Sequence, residues 1–199
     1  GAVLIIEIDG LTASLDPQTT KIQDVCKQNN AREVRIARDD AERMALWKSR
    51  KRAFGAIGRL SPNYCTQDGV VPRTKVPDIL RRIAEVADKY QLRIANVFHA
   101  GDGNIHPILM YDERDADETQ RVVKAGQEIL EACIDLGGSL TGEHGIGIEK
   151  MGQMPLMFSP EDLLAMTQLR SVFNPDNLCN PNKIIPTPGG CIDVKTPRR

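Results

Sequence analysis

RIANVFHAGDGNIHPILMY, residues 93–111, is the stretch whose reading decides the fold. Apolar runs rich in Ile, Val, Phe and Tyr flank Gly101-Asp102-Gly103-Asn104, and Asp-Gly is the strongest short-range signal for a tight hairpin turn. With Asp102-Gly103 as a two-residue turn, Ala100 faces Ile105 and His99 faces His106. Directly opposed residues share one face of a sheet, with Cβ atoms about 4.5–5.5 Å apart. Two imidazoles at that separation can converge on one metal ion at about 2.0–2.1 Å each.

The second stretch that bears chemistry is GSLTGEHGIGIEK, residues 138–150. The chain has three histidines, and all of them fall in these two segments. Adjacent residues of an extended chain point to opposite faces. Glu143 and His144 are therefore expected to differ in role, with Glu143 as a third metal ligand and His144 as a free base beside the ion. Gly142, Gly145 and Gly147 let the backbone adopt positive φ or approach a ligand closely. The plainer reading, three partly buried histidines with no role, stands beside this one; the clustering favours a site. The spacing matches neither HExxH nor a CxxC arrangement, so no generic zinc motif applies.

At these residues a family resemblance becomes specific. HAGDGNIHP followed by TGEHGIG resembles the C-terminal, cap and substrate domain of the FAD-linked oxidase family. This is the branch of vanillyl-alcohol-oxidase-type flavoproteins that contains D-lactate dehydrogenase, D-2-hydroxyglutarate dehydrogenase and the glycolate oxidase D subunit. LIIEIDG (4–10), LWKSRKRAFGAIGRLSPNYCTQDGVVPR (46–73) and LRSVFNPDNLCNPNKIIP (169–186) extend the resemblance over nearly the whole chain, most similar to the glycolate oxidase D and D-lactate dehydrogenase members. Two features depart. The family's ending is nearer FDPxGLLNPGK, where this chain has FNPDNLCNPNK. The flavin-binding half that normally precedes this region in the family is absent from the sequence, which begins inside a strand-like run.

The resemblance implies a ferredoxin-like α+β cap domain over residues 1–175, an irregular tail over 176–199, and FAD held mainly by the missing N-terminal domain. It also implies partner subunits, one of them iron–sulfur. An arginine after the family's LW pair contacts the substrate carboxylate, and LWKSR places Arg50 there. Guanidinium suits that task because it matches a carboxylate bidentately; the alternative is a solvated helix charge among Lys48, Lys51 and Arg52. Family contacts for a second carboxylate do not carry over: a threonine position reads Phe54 and a lysine position reads Thr66. That points to a small monocarboxylate.

Composition narrows the classes. The chain has 199 residues, 41% hydrophobic and 27% charged, enough for one substantial core or one domain with an appendage. A net charge of −1 with no long basic run argues against nucleic acid. A 4% aromatic content offers no base-stacking platform. AVLIIEI is far too short to span a membrane, and the N-terminus lacks a signal-peptide pattern. Five dispersed cysteines imply no disulfide framework and a cytoplasmic setting, with peripheral membrane attachment only through partners. Cys26 and Cys133 are expected in the core, and Cys191 in the tail.

Hydrophobic patterning predicts strands at 2–9 and 33–37. It predicts helices at 17–29 (Asp16 N-cap, Pro17 first), 39–57, 76–90, 115–136 and 159–172. Residues 61–72 are read as loop and short strand. An antiparallel or mixed sheet with helices packed on it follows. The tail from Phe173 is expected to be loosely held, and DVKTPRR (193–199) disordered.

The chemistry expected of such a site is oxidation of glycolate or D-lactate to the 2-oxo acid. A divalent zinc, manganese or iron ion would sit on His99, His106 and Glu143, with His144 as base and Arg50 on the carboxylate. No side chain can accept the hydride, so an organic acceptor is needed; in the family it is FAD, and this chain alone is expected to be inactive. Two other classes use the same residues: a metal-dependent hydrolase, and a metal-stabilised interaction domain without activity.

Overall fold

The computed structural model of the chain describes residues 2–186. They divide into two compact units, one ending at Ala56 and the other beginning at Ile57.

The first unit is helical. Helix α1 spans Thr12–Gln28, α2 Asp40–Lys51, and a short α3 follows at Ala53–Ile57. Helix α1 starts earlier than the capping pattern predicts. Both the amide and the hydroxyl of Ser14 donate to the Leu11 carbonyl, and this closes the first turn upstream of Asp16. Pro17 then lies inside the helix, where it has no N–H to give to the turn before it. The predicted start at α2 holds: Asp39 accepts from the Glu42 amide at 2.8 Å. Its predicted run to residue 57 is broken at Arg52, so the helix comes in two pieces.

The strands expected at 2–9 and 33–37 are not formed. A strand is defined by its ladder, and every ladder among the described residues belongs to the second unit. Val3, Leu4, Ile6, Val34 and Ile36 are accordingly exposed. Cys26 is only half-buried, and α1 buries no residue, so its expected place in a core is not realised.

The second unit is built on one sheet. Strand β1 is Asn63–Thr66, β2 Gly69–Val70, β3 Arg93–His99 and β4 Asn104–Tyr111. Strand β4 is the axis. It pairs antiparallel with β3 along one side, and with β1 and then β2 along the other. Between β1 and β2 the ladder is interrupted at Gln67-Asp68, although the Gln67 amide still donates to the Pro107 carbonyl at 2.9 Å. Helix α4 (Val76–Tyr90) joins β2 to β3, and α5 (Ala116–Asp135) follows β4. The chain then returns to the sheet, where Ser139 forms an antiparallel bridge with Val70.

The helix predictions hold here because their signals are strong. Val76, Ile79, Ile83 and Val86 recur at helical spacing along α4 and are buried. Helix α5 opens on Asp115, whose carboxylate accepts from the Asp117 and Glu118 amides. It closes before Gly137, at φ +81°, which suits the glycine its position calls for. Helix α6 (Pro160–Phe173) starts with a capping box between Ser159 and Asp162.

One core fills the space between α4, α5 and a single face of the sheet. Ile105 and Leu109 of β4, with Ile94 and Phe98 of β3, meet Ile79, Ile83, Val122, Ile129 and Cys133 there. Burial pushes the Cys133 pKa up to about 12, so its thiol stays protonated. A smaller cluster of Leu130, Leu140 and Met154, with Ile146, Phe158, Leu163 and Met166 packed on it, fastens the 138–158 segment and α6 to the flank of α5. The tail is also held: Arg170 donates to the carbonyls of Cys179, Asn180 and Lys183, and the Ile184 amide donates to Gly147. The expectations for Cys191 and for 193–199 lie outside the described residues. No helix among the described residues is long and apolar enough to cross a membrane.

Ile129 is 1% exposed in the main core. Ile129→Ala is expected to destabilise the second unit by about 2–5 kcal/mol, read as a lowered urea midpoint; a change within error would contradict this packing.

Candidate functional site

Because Ile105 and Leu109 face the helices, alternation places Asn104 and His106 on the opposite face of β4. The hairpin register differs from the two-residue turn expected. His99 pairs with Asn104, and Val97 with His106. Residues 100–103 form the loop, closed by the Asp102 and Gly103 amides donating to the His99 carbonyl. The physical reason lies on the neighbouring strand. The Gly103 carbonyl accepts from the Val71 amide at 3.0 Å. Gly103 also has φ +75°, and a Cβ there would sit 2.0 Å from the Val71 carbonyl oxygen. This clamp fixes the loop at its wider setting. His99 and His106 are consequently diagonal rather than opposed, yet still on one face, with ring centroids 5.5 Å apart and edge to face.

The 141–145 loop reaches the same face through Asp68, which sits fully buried at the break between β1 and β2. Asp68 Oδ2 accepts from the Thr141 hydroxyl (2.6 Å), the Gly142 amide (2.9 Å), the His144 amide (3.1 Å) and the Lys150 ammonium (3.1 Å). Oδ1 accepts from the Glu143 amide at 3.2 Å. Lys150, 3% exposed, also donates to the Asp68 carbonyl at 2.6 Å. Burial alone would raise the Asp68 pKa. The Thr141 hydroxyl, the His144 and Gly142 amides and the Lys150 charge reverse that and hold the carboxyl well below the usual carboxylate range. Gly142 is required for the close fit, since a Cβ there would lie 2.5 Å from the Asn104 Oδ1.

The loop wraps around Asp68 instead of running extended, and this corrects the premise that Glu143 and His144 must point apart. Both reach the same cluster. Glu143 Oε1 is 3.0 Å from His106 Nε2, 3.8 Å from His99 Nε2 and 3.9 Å from His144 Nε2. The His144 ring stacks on His106, with centroids 5.0 Å apart and planes 11° from parallel. Burial lowers the His106 pKa and outweighs the opposing pull of Glu143 and Asp68, so its ring is neutral at pH 7. His106 is the inner group at 3% side-chain exposure, while His99, Glu143 and His144 open outward at 44%, 54% and 47%.

This donor set fits a divalent ion. Ligands about 2.0–2.1 Å from one tetrahedral ion lie roughly 3.4 Å apart, and the 3.0 and 3.8 Å separations around Glu143 bracket that figure. The ligand atoms of His99, His106 and Glu143 all lie within 4.8 Å of one another. A second grouping, Asp68, His106 and His144, satisfies the same distance test. It is the poorer candidate because Asp68 Oδ2 is taken up by its donors and Oδ1 already accepts from the Glu143 amide. Arg50 belongs to the first unit, on the last turn of α2, with its guanidinium 5.9 Å from the Phe54 ring centroid.

Asp68, Lys150 and Asn104 are absent from the site that sequence patterning nominates. Asp68-Gly69 reads as turn punctuation, and Lys150 as one charge after a glycine-rich loop. The only available hint was an acid followed by Gly-Val-Val, a charge entering an apolar run that must find partners if buried.

A family profile described as FAD linked oxidases, C-terminal domain, matches residues 1–184. The chain is 42% identical over 192 residues to the glycolate oxidase subunit GlcD of Escherichia coli (strain K12), covering 96% of this chain and 38% of that protein. It is 39% identical over 183 residues to the glycolate oxidase subunit GlcD of Bacillus subtilis (strain 168), covering 92% and 39%. It is 27% identical over 185 residues to the mitochondrial D-lactate dehydrogenase (cytochrome) of Arabidopsis thaliana, covering 92% and 33%. The chain thus spans well under half the length of these relatives.

Since the folded-state pKa of Asp68 lies below its ordinary 3.8, the carboxylate stabilises the fold at every pH above that value. The contribution drains away as pH falls through 3.8 toward the folded value. Asp68→Asn is expected to lower stability at pH 7 and to flatten the loss of stability between about pH 5 and pH 2. An unchanged acid limb in chemical denaturation would contradict the assignment.

Proposed function

The chain belongs to the FAD-linked oxidase family, matching its C-terminal domain, and from that premise we propose that it forms the substrate- and metal-binding part of an FAD-dependent 2-hydroxy-acid dehydrogenase or oxidase. Glycolate or D-lactate is the substrate and the 2-oxo acid the product. The observation that carries this reading is the convergence of the three imidazole Nε2 atoms on one Glu143 oxygen, on a face whose outer members are open to solvent. His99, His106 and Glu143 would hold a divalent zinc, manganese or iron ion, and His144 would be the general base. When bound, the ion would supply Lewis acidity.

The chain's own residues divide the remaining work. His106, buried and neutral, offers a lone pair without first having to lose a proton. Glu143 contributes the negative charge that a divalent ion would need beside two imidazole ligands. His144 Nε2, 3.9 Å from the Glu143 oxygen, is placed to take the substrate hydroxyl proton, and its stacking on His106 restrains the ring. Arg50 holds the substrate carboxylate, a role supported by its place in LWKSR. When bound, FAD would supply the hydride acceptor that no side chain of this chain offers.

Residues 1–175 are proposed as the cap domain, with 176–199 as its tail. With β1 and β2 taken as one interrupted strand and the Ser139–Val70 bridge as the last, the second unit runs βαββαβ before α6, which supports a ferredoxin-like arrangement. The similarity to proteins named as glycolate oxidase subunits supports an assembly with partner subunits; an iron–sulfur partner, and a cytoplasmic chain peripheral to the membrane through such partners, are further parts of the proposal. Hydrolysis on the same donors is the less supported reading, because the matched family is one of FAD-linked oxidases.

Elemental analysis of the purified chain tests the metal reading. About one divalent ion per chain is expected, lost in both His99→Ala and Glu143→Ala with the fold retained. Absence of metal from the wild type after incubation with zinc, manganese and iron(II) would overturn it.

A further inference from the structure

We infer that Asp68 is the positioning residue of this site, with its two oxygens acting on two different partners. Oδ2 holds the loop that presents Glu143 and His144, and Oδ1 is the acceptor toward which His106 Nδ1–H turns when Nε2 binds a cation. The inference deepens the metal reading and rests on it for the His106 half.

The geometry distinguishes the two oxygens. Oδ2 gathers the Thr141 hydroxyl, the Gly142 and His144 amides and the Lys150 ammonium, at 2.6 to 3.1 Å. Consecutive amides pointing at one anion form a concave nest, here occupied by the protein's own carboxylate. The nest fixes the backbone at both residues that carry the outer reactive groups, since the Glu143 amide also donates to Asp68. Thr141 extends the hold by accepting from the Gly145 amide at 2.8 Å. Lys150 pins Asp68 from below through both its carboxylate and its carbonyl.

Oδ1 is different. It takes one amide at 3.2 Å and has capacity left. His106 Nδ1 lies 3.9 Å away, buried and without a hydrogen-bond partner among the described residues. A buried ring nitrogen without a partner is uncommon, and a movement of about 1 Å brings it to ordinary N–H···O distance. An ionised carboxylate accepts only, so it favours the proton on Nδ1 and the lone pair on Nε2, the atom that faces Glu143. A carboxylate behind a ligating histidine orients the ring and raises its basicity, and loss of such a partner typically costs about 10–100-fold in metal affinity.

Two variants of the full chain, Asp68→Asn and Thr141→Val, test this with Mn2+ titration and amide hydrogen exchange. In Asp68→Asn the amides of residues 142–144 are expected to lose protection while those of α4 and α5 keep theirs, and Mn2+ affinity is expected to fall about 10–100-fold. Thr141→Val removes one Oδ2 partner and the acceptor for the Gly145 amide but leaves Oδ1 in place, so it should loosen the same amides with a smaller loss of affinity. A purely structural role would lower protection in loop and helices together. That outcome overturns the inference, as does retained loop protection in both variants or wild-type Mn2+ affinity in Asp68→Asn. If Asp68→Asn does not fold, unchanged 142–144 protection in Thr141→Val still overturns it. If the wild type binds no Mn2+, the metal reading and the His106 half both fail, and the exchange data decide the loop half alone.

Discussion

The buried carboxylate of Asp68 is the constraint on which the site depends. Removing a charge from water is costly unless its lone pairs find donors. Here the cost is offset by the hydroxyl of Thr141, the amides of Gly142, Glu143 and His144, and the ammonium of Lys150. A carboxylate gripped by this many donors restricts how its neighbours can be arranged. The loop is therefore specified by what Asp68 needs, and the positions of Glu143 and His144 follow. Lys150 closes the segment from its other end, so the glycine-rich stretch between is tethered at both sides.

Strand β4 supplies the other half of the arrangement. It is buried from Asn104 to Met110 and hydrogen-bonded to neighbours on both edges, which makes it the most rigid element available to carry a ligand. His106 sits on it, enclosed and neutral, while His99 stands at the end of β3 where the hairpin opens. The result is a graded cluster: one buried imidazole surrounded by three groups open to solvent.

What patterning made legible was whatever is encoded locally. Ile79, Ile83 and Val86 announce α4 by spacing alone, Ser159 and Asp162 announce the start of α6, and the histidines announce a site by keeping company with glycines. What it missed was set by distant partners. The hairpin register turned on Val71, which is remote from Asp102-Gly103 in sequence and clamps Gly103. AVLIIEI looks like a strand, but a strand also requires an edge to pair with, and no composition supplies that. Pro17 resembles a helix start only until Ser14 closes an earlier turn. Asp68 was invisible because its partners lie seventy and more positions downstream.

The central claim is that the Asp68-held loop and the β3–β4 hairpin together make one cation site. Anomalous diffraction from crystals of the chain grown with Mn2+ tests it most directly. The account predicts a single strong peak about 2.0–2.3 Å from His99 Nε2, His106 Nε2 and a Glu143 carboxylate oxygen, with Asp68 still bonded to the loop amides and to Lys150. A peak ligated by Asp68, or no peak on this face, would contradict it.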